Sequence, residues 1–471
     1  MSVETTVDPF KQSLFTIFNQ EDFSQKDFLD INAVNAKGMS VLHIAAILDD
    51  APLVKRLVTS GANPMLEDNM HQTPLRKAAQ LKATEATKVL VCHALQDHPN
   101  PMIHSGMTLF KKKGDGVTIG GFYHDANHQE WLVKEGHYDN PKSVIQEFVA
   151  GGLFRAILGD YAPQTELVYD DSHAQLLLGS KLMAGFGQLR DYFPYGKVVE
   201  STFNGKPIEG LMDVVSAIVF LNDTDGHRGN VGIVDSESGY HFAKVDHGFS
   251  MDFTWQTTAL TLDQFRFELS GNYDIENIET LGFHSVYNSI SKIAETPFNV
   301  FSNIIHEKLE EAKSAMAVLQ LKDFNEYYGF DSKGNLDQNI EKYEQKLIAD
   351  LHNRHENFQA ISNFMLFEKS IIDHDLDTVL ELMETKGIEL EHSFVPFYGV
   401  KRDYYWSDHR TTGKELSEKA WPELGTLLNS RDIFSDTVNA SNNEYYQYAN
   451  PIIHDQLGNE WQLFMTALGF H

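Results

Sequence analysis

The sequence predicts a multi-domain α+β protein: an all-α repeat region comes first, a mixed core of strands and helices follows, and a helical region ends the chain. Three observations predict this class. A segment near the N-terminus repeats at a fixed interval, and strand-like runs alternate with helical runs in the middle. Apolar residues then recur at three- and four-residue spacing after residue 300. At 471 residues, the chain is long enough for roughly two to four domains.

Composition and charge exclude several classes of protein. With 42% hydrophobic and 11% aromatic residues, the chain can bury a core, which excludes wholesale disorder. A single cysteine, Cys92, excludes intramolecular disulfides and fits a reducing compartment. The net charge of −29 argues against a nucleic-acid partner and against attachment to anionic lipid by charge alone. We expect no transmembrane segment and at most a peripheral association with a membrane.

An internal repeat occupies the first hundred residues. Residues 35–64 and residues 68–95 align with an offset of 33 positions. Gly61 is suited to the left-handed end of the second helix in the first unit. Small residues that let helices approach closely coincide in the two units: Ala45, Ala46, Ala78 and Ala79.

This pattern resembles the ankyrin repeat, in which a turn is followed by two antiparallel helices. Residues 10–33 are a candidate for a divergent capping repeat. The resemblance implies an ankyrin-repeat domain over residues 1–100 that binds a partner protein through its surface.

The last third of the chain is predicted to be helical. Residues 301–365 are expected either to complete the mixed core as a helical extension or to connect it to the module that follows. Residues 366–430 are either a degenerate ankyrin-like module or an unrelated helical subdomain, and residues 431–471 form a tail. The similarity of this region to the first repeat depends on four residues that match its helix pattern: Asp377, Val379, Leu382 and Gly387.

Between these regions the pattern changes to strands with two helices. The candidate helices are 141–158 and 212–221. The candidate strands, of which the first two form a hairpin, are 117–123, 129–134, 165–169, 175–180, 231–234 and 241–245.

A polar loop follows the second of these helices and carries the strongest chemical signal. Asp225, His227 and Asn230 occur in the order D-x-H-x-x-N, and Asp246-x-Gly248 follows a predicted hairpin. This arrangement resembles the catalytic and metal-binding loops of the protein-kinase-like superfamily.

The resemblance implies a bilobal kinase-like core over residues 101–300 with ATP and Mg²⁺ as cofactors. Asp225 would orient the attacking hydroxyl, and Asn230 and Asp246 would be the metal ligands, since Mg²⁺ prefers hard oxygen ligands. Positioning and charge neutralisation are the main needs of phosphoryl transfer.

The upstream half of the core has the remaining parts in the expected order. Gly120 and Gly121 would approach the phosphates of ATP, Lys134 ends the next strand, and Glu147 lies in the following helix. Glu147 is the expected partner of Lys134, with three alternatives left open: Glu130, Glu135 and Glu166.

The position of the loop histidine narrows the resemblance. His227 follows Asp225, as in phosphoinositide kinases with their D-R-H-x-x-N loop and in HipA-type serine/threonine kinases with T-D-G-H-x-x-N. His227 would contact the transferring phosphate or the nucleophile, as a neutral base or as a cation. Gly226 stands where phosphoinositide kinases have Arg, and His247 stands where Phe is usual in D-F-G.

The segment after Asp246 bears on the acceptor. Residues 246–280 contain one base, Arg266, and seven acids, so they do not suit a highly phosphorylated lipid. Their aromatic residues could enter a membrane interface or could be core: Phe253, Trp255, Phe265 and Phe267. The preferred acceptor is phosphatidylinositol, as for a phosphatidylinositol 3-kinase, and the rival is a hydroxyl of a host protein.

Ankyrin repeats joined to a diverged kinase-like core resemble the effectors that Legionella species inject through the Dot/Icm type IV system. The resemblance implies secretion into the host cytosol, with action at a membrane surface as one option. A HipA-like protein kinase is the first alternative function. An ankyrin scaffold with an inactive core is the second, and the retained Lys134, Asp225, Asn230 and Asp246 argue against it.

Overall fold

The computed structural model describes most of the chain. The described residues are 8–19, 23–98, 100–114, 118–136, 141–236, 239–253, 262–321, 336–394, 397 and 411–430. The predicted tail 431–471, Trp255 and the first residue of the predicted strand 117–123 lie outside them. Within the described residues, no helix combines the length and apolar character that crossing a bilayer requires.

The N-terminal region consists of helices in antiparallel pairs. The helices are α1 Pro9–Asn19, α2 Val41–Ile47, α3 Ala51–Thr59, α4 Pro74–Gln80 and α5 Thr84–Ala94. Ser40 and Thr73, 33 positions apart, begin α2 and α4, and their hydroxyls accept from the backbone N–H groups of His43 and Arg76. Ser40 and Thr73 therefore occupy equivalent positions in the two repeat units.

The first lobe of the core is a five-stranded antiparallel sheet covered by one helix, α6 Pro141–Leu158. The strand order is β1-β2-β3-β5-β4, and every neighbouring pair is antiparallel. The strands are β1 Thr108–Lys112, β2 Gly120–His124, β3 Glu130–Lys134, β4 Thr165–Asp170 and β5 Gln175–Lys181. The strand β1 is not predictable from the sequence pattern, because all five of its residues are exposed and show no alternation.

The second lobe contains a smaller sheet with the order β6-β9-β10-β8-β7. Its elements are β6 Gly187–Gln188, α7 Leu189–Tyr192, β7 Thr202–Phe203, β8 Lys206–Glu209, α8 Leu211–Phe220, β9 Val231–Ser236, β10 Gly239–Lys244, α9 Leu262–Tyr273 and α10 Phe283–Glu295. Nearly all residues of α8 are buried, and α9 and α10 pack against it. This central helix leads directly into the polar loop.

The helical C-terminal region begins with two long helices, α11 Phe298–Val318 and α12 Leu336–Asp373. The predicted boundary at residue 365 falls inside α12, which is one continuous helix of 38 residues. Arg354 of α12 donates Nε–H to the carbonyl of Phe220 over 2.8 Å, at the end of α8. The remaining elements are α13 Leu376–Lys386, β11 Ser393–Phe394, β12 Thr411–Thr412, α14 Gly413–Ala420 and α15 Leu424–Ser430.

The last helices share local geometry with the N-terminal repeats. Asp375 caps α13 as Asp50 caps α3, and Thr412 begins α14 with the same kind of cap as Ser40. Gly387, like Gly61, has a left-handed backbone, with φ values of 64° and 93°. These helices have a small core of their own: Phe367, Ile371, Val379, Leu382, Ile388, Leu416, Trp421, Leu424 and Leu428.

The ankyrin region packs directly on the core. Arg76 of α4 donates to the carbonyl of Ala174, in the turn between β4 and β5, over 3.0 Å. It also reaches the carbonyl of Leu319, just after α11, at 3.5 Å. Thr73 hydrogen-bonds with Gln320 beside it. The second repeat therefore touches both the first lobe and the helical extension.

Two adjacent glycines of α6 provide a test of how tightly this helix packs on the sheet. A Cβ on Gly151 would clash with Thr165 of β4, whereas a Cβ on Gly152 would lie 3.2 Å from Ile304 of α11. We expect Gly151→Ala to lower the unfolding free energy by about 1–3 kcal/mol and to reduce activity, because it pushes α6 and Glu147 away from the sheet. Denaturant unfolding and turnover would measure both effects.

Gly152→Ala is the matched control. The flexible Ile304 side chain can yield, and alanine favours helix by roughly 0.5–1 kcal/mol over glycine. The control should remain within about 1 kcal/mol of the wild type. Equal losses in the two variants would contradict close packing at Gly151.

Candidate active site

Three charged side chains meet in the cleft between the lobes. Lys134 ends β3, Glu147 lies in the middle of α6, and Asp246 follows β10. Lys134 Nζ lies 2.7 Å from Glu147 Oε1 and donates to Asp246 Oδ1 over 2.8 Å. Lys134 and Glu147 are buried, whereas 33% of the Asp246 side chain is exposed. Of the four candidate glutamates, Glu147 is the one that contacts Lys134.

Mutual charge sets the protonation of this cluster. Burial would lower the pKa of Lys134, but Glu147 and Asp246 outweigh it and raise that pKa well above its usual range. Burial raises the pKa of Glu147 to about 7, since Lys134 offsets only part of the cost and Asp246 repels a second charge. Burial also acts to raise the pKa of Asp246, but Lys134 reverses this and holds it well below its usual range. Lysine and aspartate therefore stay charged at neutral pH.

The loop after α8 forms the other wall of the site. Asn230 Nδ2 donates to Asp225 Oδ2 over 2.8 Å, and His227 Nε2 lies 3.2 Å from Asp225 Oδ1. The Gly229 N–H lies 2.9 Å from His227 Nδ1 and donates to it, so the neutral ring carries its hydrogen on Nε2. The Val245 N–H donates to the Asn230 carbonyl over 2.8 Å. This bond joins the Asp225 loop to the strand end that bears Asp246.

Gly226 has a steric reason for standing where the phosphoinositide-kinase pattern has arginine. A Cβ at this position would clash with Glu268 Oε1 and lie 3.0 Å from Ile218 Cδ1. The Tyr273 hydroxyl donates to the Gly226 carbonyl over 2.9 Å. No larger residue fits unless Glu268 moves.

Glu268 should give the protein a measurable pH dependence. Burial raises its pKa to about 7 from an ordinary 4.5, and the nearby Asp223 charge acts in the same direction. The folded state therefore holds a proton that the unfolded chain has lost, and the stability contributed by protonated Glu268 falls as pH rises from about 4.5 to about 7.

We expect Glu268→Gln to flatten this fall by up to about 1.4 kcal/mol per pH unit, because the amide does not titrate. Denaturant unfolding at several pH values across the window would measure it. The exposed Glu276→Gln is the control and should leave the slope unchanged. Parallel curves for the wild type and Glu268→Gln would contradict the assignment.

His247, at the middle position of the D-x-G element, packs as an apolar ring would. Its ring stacks on Phe154 of α6 with centroids 4.2 Å apart, and 1% of the residue is exposed. Neither ring nitrogen has a hydrogen-bond partner in the structure. Burial and the nearby Lys244 charge hold its pKa well below the usual range, so the ring is neutral. The substitution of His for Phe thus keeps an aromatic contact with α6.

The two predicted phosphate-loop glycines lie within β2. Gly120 is opposite Lys134 and Gly121 is opposite Val133. A Cβ on Gly120 would lie 2.6 Å from the Val133 carbonyl oxygen, so this position requires close backbone approach. Lys113 directly follows the last residue of β1. Lys113 was not predicted from the sequence, and its Nζ donates to Thr118 Oγ1 over 2.8 Å.

The residues present fit a magnesium-nucleotide site. Asp246 offers a carboxylate, and Asn230 uses its amide N–H₂ on Asp225, which leaves the amide oxygen as its ligand atom. In the part of the chain that the structure describes, no three His, Cys, Asp or Glu side chains are grouped to hold a metal. Mg²⁺ is usually held by one or two carboxylates together with substrate phosphates.

Three buried charged residues around the loop were not predicted from the sequence. Asp223 and Lys244 form an ion pair with both side chains 0% exposed. Arg228 is also 0% exposed. Two features of the sequence could have indicated them: a lysine inside an apolar strand and an arginine in a glycine-rich loop. They did not suffice, because charged side chains are usually solvated.

The order of these elements resembles the protein-kinase-like fold. An antiparallel sheet with a lysine on its third strand is followed by a helix whose glutamate reaches that lysine. A helical lobe then supplies a polar loop, a hairpin and an Asp-x-Gly element. The predicted fold class is confirmed: ankyrin repeats, a mixed α/β region with two sheets, and a helical C-terminal region.

Two family models match parts of the chain. The model of ankyrin repeats, in three copies, matches residues 15–101 and confirms the predicted repeats. The model of the LepB N-terminal domain matches residues 175–363, from the start of β5 into α12. No curated protein matches the chain.

Solved structures of kinases are similar to this chain at low identity. The Helicobacter pylori proinflammatory kinase CtkA has 12% identity and a TM-score of 0.30, and the match covers 56% of this chain and 98% of CtkA. The Golgi casein kinase has 10% identity and a TM-score of 0.29, and the match covers 57% of this chain and 75% of the kinase chain. A structure of that kinase with Mn/ADP bound has 11% identity and a TM-score of 0.27, and the match covers 58% of this chain and 77% of the kinase chain. At these scores the similarity adds no detail to the site.

Proposed function

We propose that this chain is an ATP- and magnesium-dependent kinase that transfers the γ-phosphoryl group to an alcohol. One observation carries the proposal: Lys134 Nζ is held between Glu147 and Asp246, across the cleft from the hydrogen-bonded pair of Asp225 and Asn230. A scaffold with an inactive core has no need for a buried lysine between two carboxylates, which is costly to desolvate.

Each side chain has a role that its geometry supports. Lys134 would bind oxygens of the ATP phosphates, and Glu147 would orient the lysine. Asp246 and Asn230 would hold Mg²⁺, which neutralises charge on the phosphates when bound. Asp225 would accept the proton of the attacking hydroxyl as the new P–O bond forms and ADP leaves with the old one. His227, with Nε2–H 3.2 Å from Asp225 Oδ1, would orient that carboxylate or contact the phosphate.

We propose phosphatidylinositol as the acceptor, by the action of a phosphatidylinositol 3-kinase. The acidic segment 246–280 would repel a highly phosphorylated headgroup, whereas a lightly charged lipid is compatible with it. Of its aromatics, Phe265 is fully buried and belongs to the core, but 62% of Phe267 is exposed. A singly exposed phenylalanine is common on protein surfaces, so the proposed acceptor rests on the charge of this segment.

The acceptor test uses the purified full chain with labelled ATP and Mg²⁺. Liposomes that contain phosphatidylinositol form one arm, and a host-cell lysate forms the other. Labelled lipid supports the proposed acceptor, and labelled protein supports the HipA-like alternative. No transfer in either arm, together with tight binding of a protein to the ankyrin repeats, supports the scaffold.

Asp246→Ala is the control for the metal assignment. It should abolish transfer while the ankyrin region keeps its fold, because the Asp246 side chain pairs with Lys134 of the core, whereas the ankyrin helices are capped by their own Ser40 and Thr73. Transfer that survives this change would refute the metal role. We also propose that ankyrin surfaces bind a host protein and that the chain acts in the host cytosol after type IV secretion, on the resemblance in domain composition.

A further inference from the structure

We infer that the buried ion pair of Asp223 and Lys244 is a positioning device that sets the distance between the hydroxyl-orienting loop and the metal-binding loop. The inference deepens the proposed kinase function and rests on it. Neither residue belongs to the group predicted to contact ATP or the acceptor. Both act through their neighbours, Asp225 and Asp246.

Lys244 holds the metal-binding loop from beneath. It is the last residue of β10, and its side chain is 0% exposed. Its Nζ donates to the carbonyls of Val245 over 3.0 Å and of Asp246 over 2.6 Å. The ammonium group thus fixes the backbone of the residue whose carboxylate would bind the metal.

Asp223, the acidic partner of the ion pair, fixes the hydroxyl-orienting loop that bears Asp225. Its Oδ2 lies 2.9 Å from Lys244 Nζ and accepts from the Ser250 hydroxyl over 2.9 Å. Its Oδ1 accepts the backbone N–H of Asp225 over 2.8 Å. One carboxylate therefore bonds to the residue that would orient the hydroxyl and to the lysine beneath the metal ligand.

The pair joins two loops that are distant in sequence but must act at one phosphoryl group. Asp225 lies in the loop after α8 and Asp246 follows β10, so a small shift between the two elements would misplace the hydroxyl relative to the metal. A misplacement of about 1 Å can cost roughly 100-fold in rate. A buried ion pair is weak evidence for stability, because apolar residues of similar volume often serve as well. Positioning explains why charges occupy this place.

The test replaces both charges by neutral groups of similar shape. The double variant Asp223→Asn, Lys244→Met leaves no unpaired charge, and an amide oxygen can still accept from Asp225. We expect kcat to fall by about 100-fold, with little change in the thermal midpoint or in ATP binding without Mg²⁺. The same substitutions in the ankyrin ion pair, Asp68→Asn with Lys77→Met, are the matched control and should leave kcat unchanged.

A folded double variant with kcat within about threefold of the wild type would overturn the inference, because positioning predicts a loss of roughly 100-fold. If the double variant does not fold, Ser250→Ala decides. It removes one hydrogen bond to Asp223 without creating a buried charge, and a lower kcat with unchanged KM for ATP supports positioning. Unchanged kcat in Ser250→Ala overturns it. Absence of phosphotransfer by the wild type would instead refute the proposed function, and the inference with it.

Discussion

Replacing Asp225 with asparagine is expected to lower kcat by about 10²–10⁴-fold, the usual contribution of a general base. Asparagine keeps the size of the side chain but cannot take the proton of the hydroxyl. The Asn230 amide, which now donates to Asp225 Oδ2 over 2.8 Å, can still find an oxygen acceptor. Binding of ATP with Mg²⁺ should change little, because Asp225 is not expected to be the main metal ligand. Steady-state turnover and a magnesium-dependent thermal shift would separate the two effects.

Asp235→Asn is the control for this change. Asp235 is exposed on β9, a few residues after the loop, and its variant should keep the wild-type kcat. If Asp225→Asn keeps full turnover, Asp225 does not orient the hydroxyl. The base would then have to be another group at the site, and His227 would be the next residue to substitute.

Replacing Arg228 with methionine is expected to lower the unfolding free energy by about 3–5 kcal/mol, the range for breaking a buried charged network. The guanidinium donates to the Asp274 carboxylate over 2.6 Å, where it joins the loop to the residue after α9. It also donates, over 2.7–2.9 Å, to four backbone carbonyls: those of Phe193, Pro194, Lys197 and Asn272. Methionine fills part of the volume but leaves these acceptors without donors.

Denaturant unfolding would measure this loss, and Arg190→Met provides the comparison. Arg190 is exposed, and its Nε–H donates to the Gln188 side chain over 2.8 Å. Surface changes of this kind usually stay within about 0.5 kcal/mol. Similar losses for the two variants would show that the Arg228 network adds little to stability.

Much of the candidate site could be predicted because its residues sit in short, ordered motifs. Asp225 and Asn230 share one loop, Asp246 opens the next, and Lys134 and Glu147 follow in the spacing of a strand and a helix. The ankyrin repeats were equally accessible, since Ser40 and Thr73 recur at the period of the fold. The strand β1 was not predictable from periodicity, because an edge strand with every residue exposed shows no alternation.

The sequence by itself determined the repeat region, the kinase-like order of elements and the identity of the charged motif residues. Local periodicity and short spacing encode these features. Only the tertiary structure decided that Lys134 pairs with Glu147, that Glu268 excludes a side chain at Gly226, and that Asp223 and Lys244 join the two loops. Those contacts connect residues from separate elements, and their energies depend on burial. Charge in a sequence looks the same whether a residue is solvated or desolvated, so only packing reveals which charges are paired.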